Sequence, residues 1–146
     1  MQVQRFPTNT PLDKLLGGGI EKGVVTNIYG PAGSGKTNVA LAALVNAKKA
    51  VYVDTESSFS PERFYQLGGS QKKMENIVVI EPASWEEQHK ALLQLESKAK
   101  NSDLVIVDSM VSLYRLVLDE SNFTLVNRQL ATQFSVLARI ARTYGI

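Results

Sequence analysis

One short glycine-rich segment constrains this chain more than any other feature. Residues 30–37 read Gly-Pro-Ala-Gly-Ser-Gly-Lys-Thr and match the pattern G-x-x-x-x-G-K-[ST] at every fixed position. Glycine permits positive φ angles, so the backbone can fold closely around phosphate oxygens with its amides pointing inward. The segment also lies between an apolar run and a helical pattern, which is the setting this motif requires. The sequence therefore predicts a phosphate-binding loop that opens a helix.

The motif predicts a role for each of its residues. The predicted contacts to the nucleotide come from Gly30, Pro31, Ala32, Gly33, Ser34, Gly35, Lys36, Thr37 and Asn38. Lys36 would place a positive charge on the β- and γ-phosphates and so take part in catalysis, and the Thr37 hydroxyl would bind magnesium. ATP and Mg²⁺ are therefore the predicted ligands.

Apolar runs of strand length alternate with helical patterns along the chain. The predicted strands are residues 24–29, 50–53, 77–80 and 104–107. Ser60 and Ser84 are predicted N-caps of two of the intervening helices. Apolar residues at helical spacing from Val126 to Tyr144 predict a long last helix. Such alternation is typical of an α/β fold with a mostly parallel sheet. Ligands of such sheets bind at the carboxyl ends of the strands.

Acidic residues follow two of the predicted strands. Asp108 ends the apolar run 104–107, which is the Walker B pattern, and is predicted to hold magnesium together with Thr37. Asp54 and Glu56 follow the strand 50–53 at the same end of the sheet. A carboxylate there can deprotonate an attacking water, and Glu56 is the candidate base. Spacing alone leaves open that Glu56 is a solvated loop carboxylate and that Asp54 bonds nearby loops.

Composition excludes several other kinds of chemistry. The chain of 146 residues contains no cysteine and one histidine, and its net charge is +2. Thiol catalysis, disulfides and cysteine-ligated metals are therefore excluded, and a catalytic triad or histidine-rich metal site is disfavoured. The length fits about one domain. Since no apolar run approaches the ~18 residues of a membrane span, we expect a cytoplasmic protein without a membrane partner.

Several segments together resemble the ATPase core of the RecA-like recombinases. They are Leu-Leu-Gly-Gly-Gly-Ile at 15–20, the loop at 30–37, Tyr-Val-Asp-Thr-Glu at 52–56, Phe59 with Pro-Glu-Arg at 61–63, Val-Asp-Ser at 107–109 and Asn-Arg-Gln-Leu at 127–130. The resemblance covers nearly the whole chain. It implies one three-layer RecA-like P-loop domain over residues 1–146, with an N-terminal segment (1–22) and a nucleotide-binding core (23–146) that is incomplete at its C-terminal end.

The resemblance also implies roles for two side chains. Glu56 matches the catalytic glutamate of the family, and Arg63 matches an arginine that packs on the adenine base. An ordinary surface arginine near a helix start is the alternative for Arg63.

Two departures narrow the resemblance. RadA recombinases carry a helical domain before the core, whereas only about a dozen residues precede the Leu-Leu-Gly-Gly-Gly-Ile segment here. They also carry an Arg/Gly-rich DNA loop after the Walker B strand. The corresponding residues 115–121 here contain Arg115 but also Asp119 and Glu120, and acidic side chains oppose phosphate contact. Arg115 is therefore either a DNA contact or a solvated residue. Both departures favour the short archaeal RadB family.

This resemblance implies an ATP-binding, weakly hydrolysing protein of DNA repair and homologous recombination. The expected partners are single- or double-stranded DNA, a RadA-type recombinase and further copies of the chain. Two alternatives are a nucleotide-switched regulatory binding module with little hydrolysis and a RadA-like strand-exchange core. A small P-loop kinase fits less well, because no arginine cluster provides a lid.

Overall fold

The computed structural model describes residues 2–146, so Met1, with which the predicted domain begins, lies outside the described residues. The elements are, in chain order, β1 (Arg5–Phe6), α1 (Leu12–Leu15), β2 (Ile20–Glu21), α2 (Lys36–Asn46), β3 (Ala50–Asp54), α3 (Pro61–Gln66), α4 (Gln71–Met74), β4 (Ile77–Ile80), α5 (Trp85–Leu93), α6 (Glu96–Ala99), β5 (Leu104–Asp108), α7 (Ser112–Val117) and α8 (Phe123–Tyr144). This is the α/β alternation that the sequence predicts.

A parallel sheet with the strand order β4-β3-β5 forms the centre of the molecule. The central strand β3 is buried along its whole length, which explains why its sequence is a continuous apolar run ending in Asp54. The register pairs Asp54 with Asp108. The two predicted acidic strand ends therefore lie side by side at the carboxyl edge of the sheet.

Helices cover both faces of this sheet and produce three layers. Alternate residues of β3 point to opposite faces, so Tyr52 joins one apolar cluster while Val51 and Val53 join the other. The first cluster contains Leu41 and Leu44 of α2, and the second contains residues of α5 and α8. The three-layer α/β architecture expected from the sequence is thus confirmed.

The predicted strand at residues 24–29 is a wrong prediction, because the structure contains no strand there. The segment pairs with neither β3 nor β5, and Tyr29 is 88% exposed. Residues of the segment and of β5 line the same cavity, which has a volume of about 560 Å³. An apolar run becomes a strand only where a neighbour completes its hydrogen-bond ladder. Within residues 2–146 no strand forms such a ladder with this segment.

The predicted N-caps position two helices as expected. Ser60 Oγ accepts a hydrogen bond from the Arg63 amide at 3.1 Å, and Ser84 Oγ accepts one from the Glu87 amide at 3.2 Å. The Glu87 carboxylate reaches back to the Ala83 amide at 2.8 Å. The two serine bonds satisfy amides that the first helical turn leaves unpaired, and the Glu87 bond holds the residue just before the N-cap. No helix within residues 2–146 is both long and apolar enough to cross a membrane.

Candidate nucleotide-binding site

The glycine-rich loop turns through two left-handed residues before helix α2. Gly33 has a φ of 75° and Gly35 a φ of 92°. A Cβ at either position would meet no atom within 4 Å, so the backbone conformation rather than lack of space requires glycine. Gly35 is also the N-cap of α2 and provides no side-chain cap. The first amides of α2 therefore remain available to an anion.

The Lys36 ammonium group lies across the mouth of this loop. Its Nζ donates hydrogen bonds of 2.9 Å to the carbonyls of both Gly30 and Pro31. A lysine ammonium has three donors, so one remains free in this arrangement. The positive charge thus lies at the loop, where the motif predicts it.

Asp108 joins the loop helix to the sheet through one carboxylate oxygen. Its Oδ2 accepts hydrogen bonds from Thr37 Oγ1 at 2.8 Å, from Tyr52 Oη at 2.9 Å and from Ser58 Oγ at 3.2 Å. Asp108 is 8% exposed. The structure therefore brings together Thr37 and Asp108, the two residues predicted to bind magnesium.

The donor atoms at this position fit magnesium. Hydroxyl and carboxylate oxygens are hard ligands, and Mg²⁺ usually keeps water molecules and takes one or two protein ligands together with substrate phosphates. Residues 2–146 contain no group of three or more acidic, histidine or cysteine side chains that could hold a metal ion. Thr37 and Asp108 would supply two ligands to such an ion, and water and phosphate oxygens would supply the others.

Tyr52 and Ser58 are members of this cluster that sequence reasoning missed. Burial raises the pKa of Tyr52, and the neighbouring Asp108 carboxylate raises it further. The phenol therefore remains protonated and donates its hydrogen bond to Asp108. Only the position of Tyr52, on the same face of β3 as Asp54, hinted at a role near the strand end.

Asp54 organises the loop that follows β3. Its carboxylate accepts hydrogen bonds from the amides of Glu56 at 3.2 Å, Ser58 at 3.1 Å and Phe59 at 2.8 Å. The side chain is 2% exposed. Asp54 thus bonds the nearby loop, one of the two interpretations left open by the sequence. It also sets the backbone from which Glu56 projects.

The Glu56 side chain is exposed but has specific partners. Its Oε1 accepts hydrogen bonds from the Ser109 hydroxyl, at 2.9 Å, and from the Ser112 hydroxyl. Glu56 and Lys36 line the same cavity. The structure therefore places the candidate base on the side of the sheet where the loop lies. Sequence reasoning quoted Ser109 as part of a motif and did not single out Ser112, and it predicted for neither serine a contact to Glu56, because short polar residues after a strand are common turn formers.

Arg63 lies against the first turn of the loop helix. Its Nε donates to Asn38 Oδ1 at 3.0 Å, and its Nη1 donates to Gln66 Oε1 at 3.2 Å. Asn38 follows the motif threonine, so Arg63 and the phosphate-binding loop are neighbours in space. Contact with adenine remains a prediction.

The segment after the Walker B strand differs from the loop that the resemblance implies. Arg115 lies within helix α7 and not in a loop. Helix formation there leaves only a short turn, in which Asp119 accepts hydrogen bonds from the amides of Ser121 and Asn122. Hydrogen bonding by Ser121 holds the pKa of Asp119 below its ordinary value. This carboxylate forms the turn that leads into α8.

The three layers, the glycine loop and the strand-end aspartate define a RecA-like α/β fold with a P-loop. The Rad51 family model matches residues 3–146. The chain belongs to the Rad51 family.

Curated relatives indicate one branch of that family. The chain is 43% identical to the DNA repair and recombination protein RadB of Methanosphaera stadtmanae, over 97% of this chain and 64% of the relative. It is 42% identical to the RadB of Methanococcoides burtonii, over 100% of this chain and 68% of the relative. Similarity to archaeal RadB, as the sequence analysis predicts, is therefore confirmed. The chain spans 64% of the length of the first of these relatives.

Proposed function

We propose that this chain is the nucleotide-binding part of a DNA repair and recombination protein that binds Mg-ATP and hydrolyses it slowly. The hydrogen bond between Thr37 Oγ1 and Asp108 Oδ2, 2.8 Å long, carries the proposal. It joins the first turn after the glycine loop to the end of a parallel strand, which is where an α/β sheet binds ligands. The recombination role is supported by the names of the RadB relatives.

Each residue of the site can have a separate role in phosphoryl transfer. The amides of the loop and the Lys36 ammonium would bind the phosphates and offset the charge that develops on them. Thr37 and Asp108 would hold Mg²⁺, which when bound neutralises charge on the phosphate oxygens. Glu56 would accept a proton from the attacking water. Arg63 would cover the adenine base.

Slow turnover is part of the proposal. RecA-like ATPases generally complete their sites between subunits, so a single copy with Glu56 exposed to solvent would hydrolyse ATP weakly. The proposed partners are DNA, a RadA-type recombinase and further copies of the protein. DNA would raise turnover if it orders copies of the chain side by side.

Loss of the lysine tests the nucleotide site directly. Lys36→Ala should weaken ATP binding by about tenfold or more, since a charge-assisted phosphate contact contributes roughly 1.5–3 kcal/mol. Lys90→Ala is the matched control, because Lys90 is exposed on α5 and has no side-chain partner in the described structure. Titration calorimetry with a slowly hydrolysed ATP analogue measures both. Equal affinities for the wild type and Lys36→Ala would reject the proposed site.

A nucleotide-switched binding module is a second candidate, and one observation favours it. Leu116, Phe123 and Leu125 are 80%, 56% and 58% exposed around the acidic turn at Asp119. An apolar and acidic surface suits a protein partner better than a phosphate backbone. Single-stranded DNA should raise ATP turnover if the first candidate is right. Unchanged turnover, together with ATP-dependent binding to a RadA-type recombinase, would select the module.

A further inference from the structure

Two hydroxyl groups hold one oxygen of the Glu56 carboxylate. Ser109 Oγ and Ser112 Oγ both donate to Oε1, and the two hydroxyl oxygens lie 3.0 Å from each other. Within residues 2–146 the second oxygen, Oε2, has no hydrogen-bond partner. The side chain is therefore anchored through one carboxylate oxygen only.

The segment that carries these serines is itself firmly held. Thr55 Oγ1 donates to the Ser109 carbonyl and accepts from the Ser109 amide, both at 2.8 Å. One residue further on, the Met110 carbonyl accepts a 3.1 Å hydrogen bond from Gln88 Nε2, and Gln88 is fully buried. Bonds from Thr55, in the loop after β3, and from Gln88 in α5 thus fix the backbone between β5 and α7. A fixed backbone is what a positioning side chain requires.

We propose that Ser112, assisted by Ser109, is a positioning residue for Glu56 in ATP hydrolysis; this inference rests on the proposed function. A glutamate on an exposed loop samples several rotamers, and a general base works only within hydrogen-bond reach of the water it activates. The two hydroxyls restrict the side chain by binding Oε1. Oε2 then remains free to accept the proton.

Ser112 is the better of the two serines to test. Ser109 follows Asp108 directly, so its substitution can also disturb the proposed magnesium ligand. Ser112 instead begins α7, and none of its side-chain bonds involves Thr37 or Asp108. Ser112→Ala removes one donor to Glu56 and leaves every proposed contact to the nucleotide in place.

The decisive measurement separates turnover from binding. In the full-length protein, Ser112→Ala should lower kcat about tenfold, a fraction of the ~10²–10⁴ that a general base contributes, and leave the Kd for ATP unchanged. Ser112→Thr keeps the hydroxyl and should restore most of kcat. Ser97→Ala removes a hydroxyl that bonds only the Gln94 carbonyl on another part of the surface, and serves as the control.

Three results would overturn the inference. They are a wild-type kcat in Ser112→Ala, failure of Ser112→Thr to restore kcat, and a wild-type protein that binds ATP without turnover. If Ser112→Ala lost stability generally, its melting temperature and its affinity for ATP would both fall. Both quantities are therefore compared between Ser112→Ala and Ser112→Thr. Glu56→Gln and Lys36→Ala distinguish a failure of the positioning role from a failure of the proposed nucleotide site. If Glu56→Gln abolishes turnover while Ser112→Ala does not, only the positioning role fails; if Lys36→Ala still binds ATP normally, the proposed function itself fails.

Discussion

The Tyr52 hydroxyl donates a 2.9 Å hydrogen bond to Oδ2 of Asp108 from a fully buried position in the central strand. The ring of Phe59 packs edge-on against Tyr52 with centroids 5.1 Å apart. Tyr52 therefore links the strand that leads to Glu56 with the strand that ends in the candidate magnesium ligand. Because Thr37 bonds the same oxygen, the sheet and the loop helix meet at one atom.

Removing the phenol should cost stability. Tyr52→Phe deletes a buried donor to Asp108, so we expect the free energy of unfolding to fall by about 1–3 kcal/mol. Tyr65→Phe is the matched control, because the Tyr65 hydroxyl donates to Gln71 on the surface and the residue is 41% exposed; its effect should stay within about 0.5 kcal/mol. Urea denaturation measures both, and equal effects would contradict the role given to Tyr52.

The hydrogen-bonded pair Tyr52 and Asp108 predicts how the free energy of unfolding changes at alkaline pH. Burial and Asp108 raise the pKa of Tyr52 above its ordinary 10.0, so the folded state keeps the proton that the unfolded state loses. The contribution of Tyr52 is complete below pH 10.0 and decreases as pH rises towards the folded pKa. The stability advantage of wild type over Tyr52→Phe should shrink by up to about 1.4 kcal/mol for each pH unit above that value. An advantage that is constant with pH would refute this.

Replacing the Asp54 carboxylate by a neutral amide should destabilise the protein, even though the two side chains have nearly the same shape. An asparagine has one acceptor oxygen and cannot serve the three loop amides that Asp54 now binds. Asp54→Asn should therefore destabilise the protein by about 2–3 kcal/mol and lower ATP turnover through Glu56. Hydrogen exchange at the amides of Ser58 and Phe59 should accelerate. Unaltered protection of these amides would show that the carboxylate does not hold the loop.

Two buried glutamines between α5 and α8 should behave as a pair. Gln88 Nε2 donates to Gln133 Oε1 at 2.8 Å, both residues are fully buried, and Gln88 Oε1 has no partner in the described part of the chain. Gln133→Leu leaves one amide N–H of Gln88 unpaired, and Gln88→Leu removes the donor to both Gln133 Oε1 and the Met110 carbonyl, each at a cost of about 1–3 kcal/mol. The double variant should cost less than the sum. Additive losses measured by thermal unfolding would rule out the coupling.

Local features of this fold follow from residues close together in the chain. The glycines at 33 and 35, the caps at Ser60 and Ser84, and the strand that ends in Asp108 were predictable, because each depends on backbone preference or on contacts within one turn. Residues 24–29 have an equally good strand pattern and form no strand. Strand propensity is therefore not sufficient by itself, because a strand also needs a neighbouring strand that completes its hydrogen-bond ladder.

The amino-acid sequence alone specifies the phosphate loop, the acidic strand ends and membership in a RecA-like class, since those signals are short motifs whose chemistry is local. The tertiary structure decides which side chains share a site. Asp108 meets Thr37 from 71 residues away and Tyr52 from 56, and Ser112 meets Glu56 from 56. Parallel pairing in a single register brings these residues to one edge of the sheet. Such long-range partners leave no periodic pattern, so only folding reveals the serines beside Glu56, the candidate base, and the tyrosine bonded to Asp108, the candidate magnesium ligand.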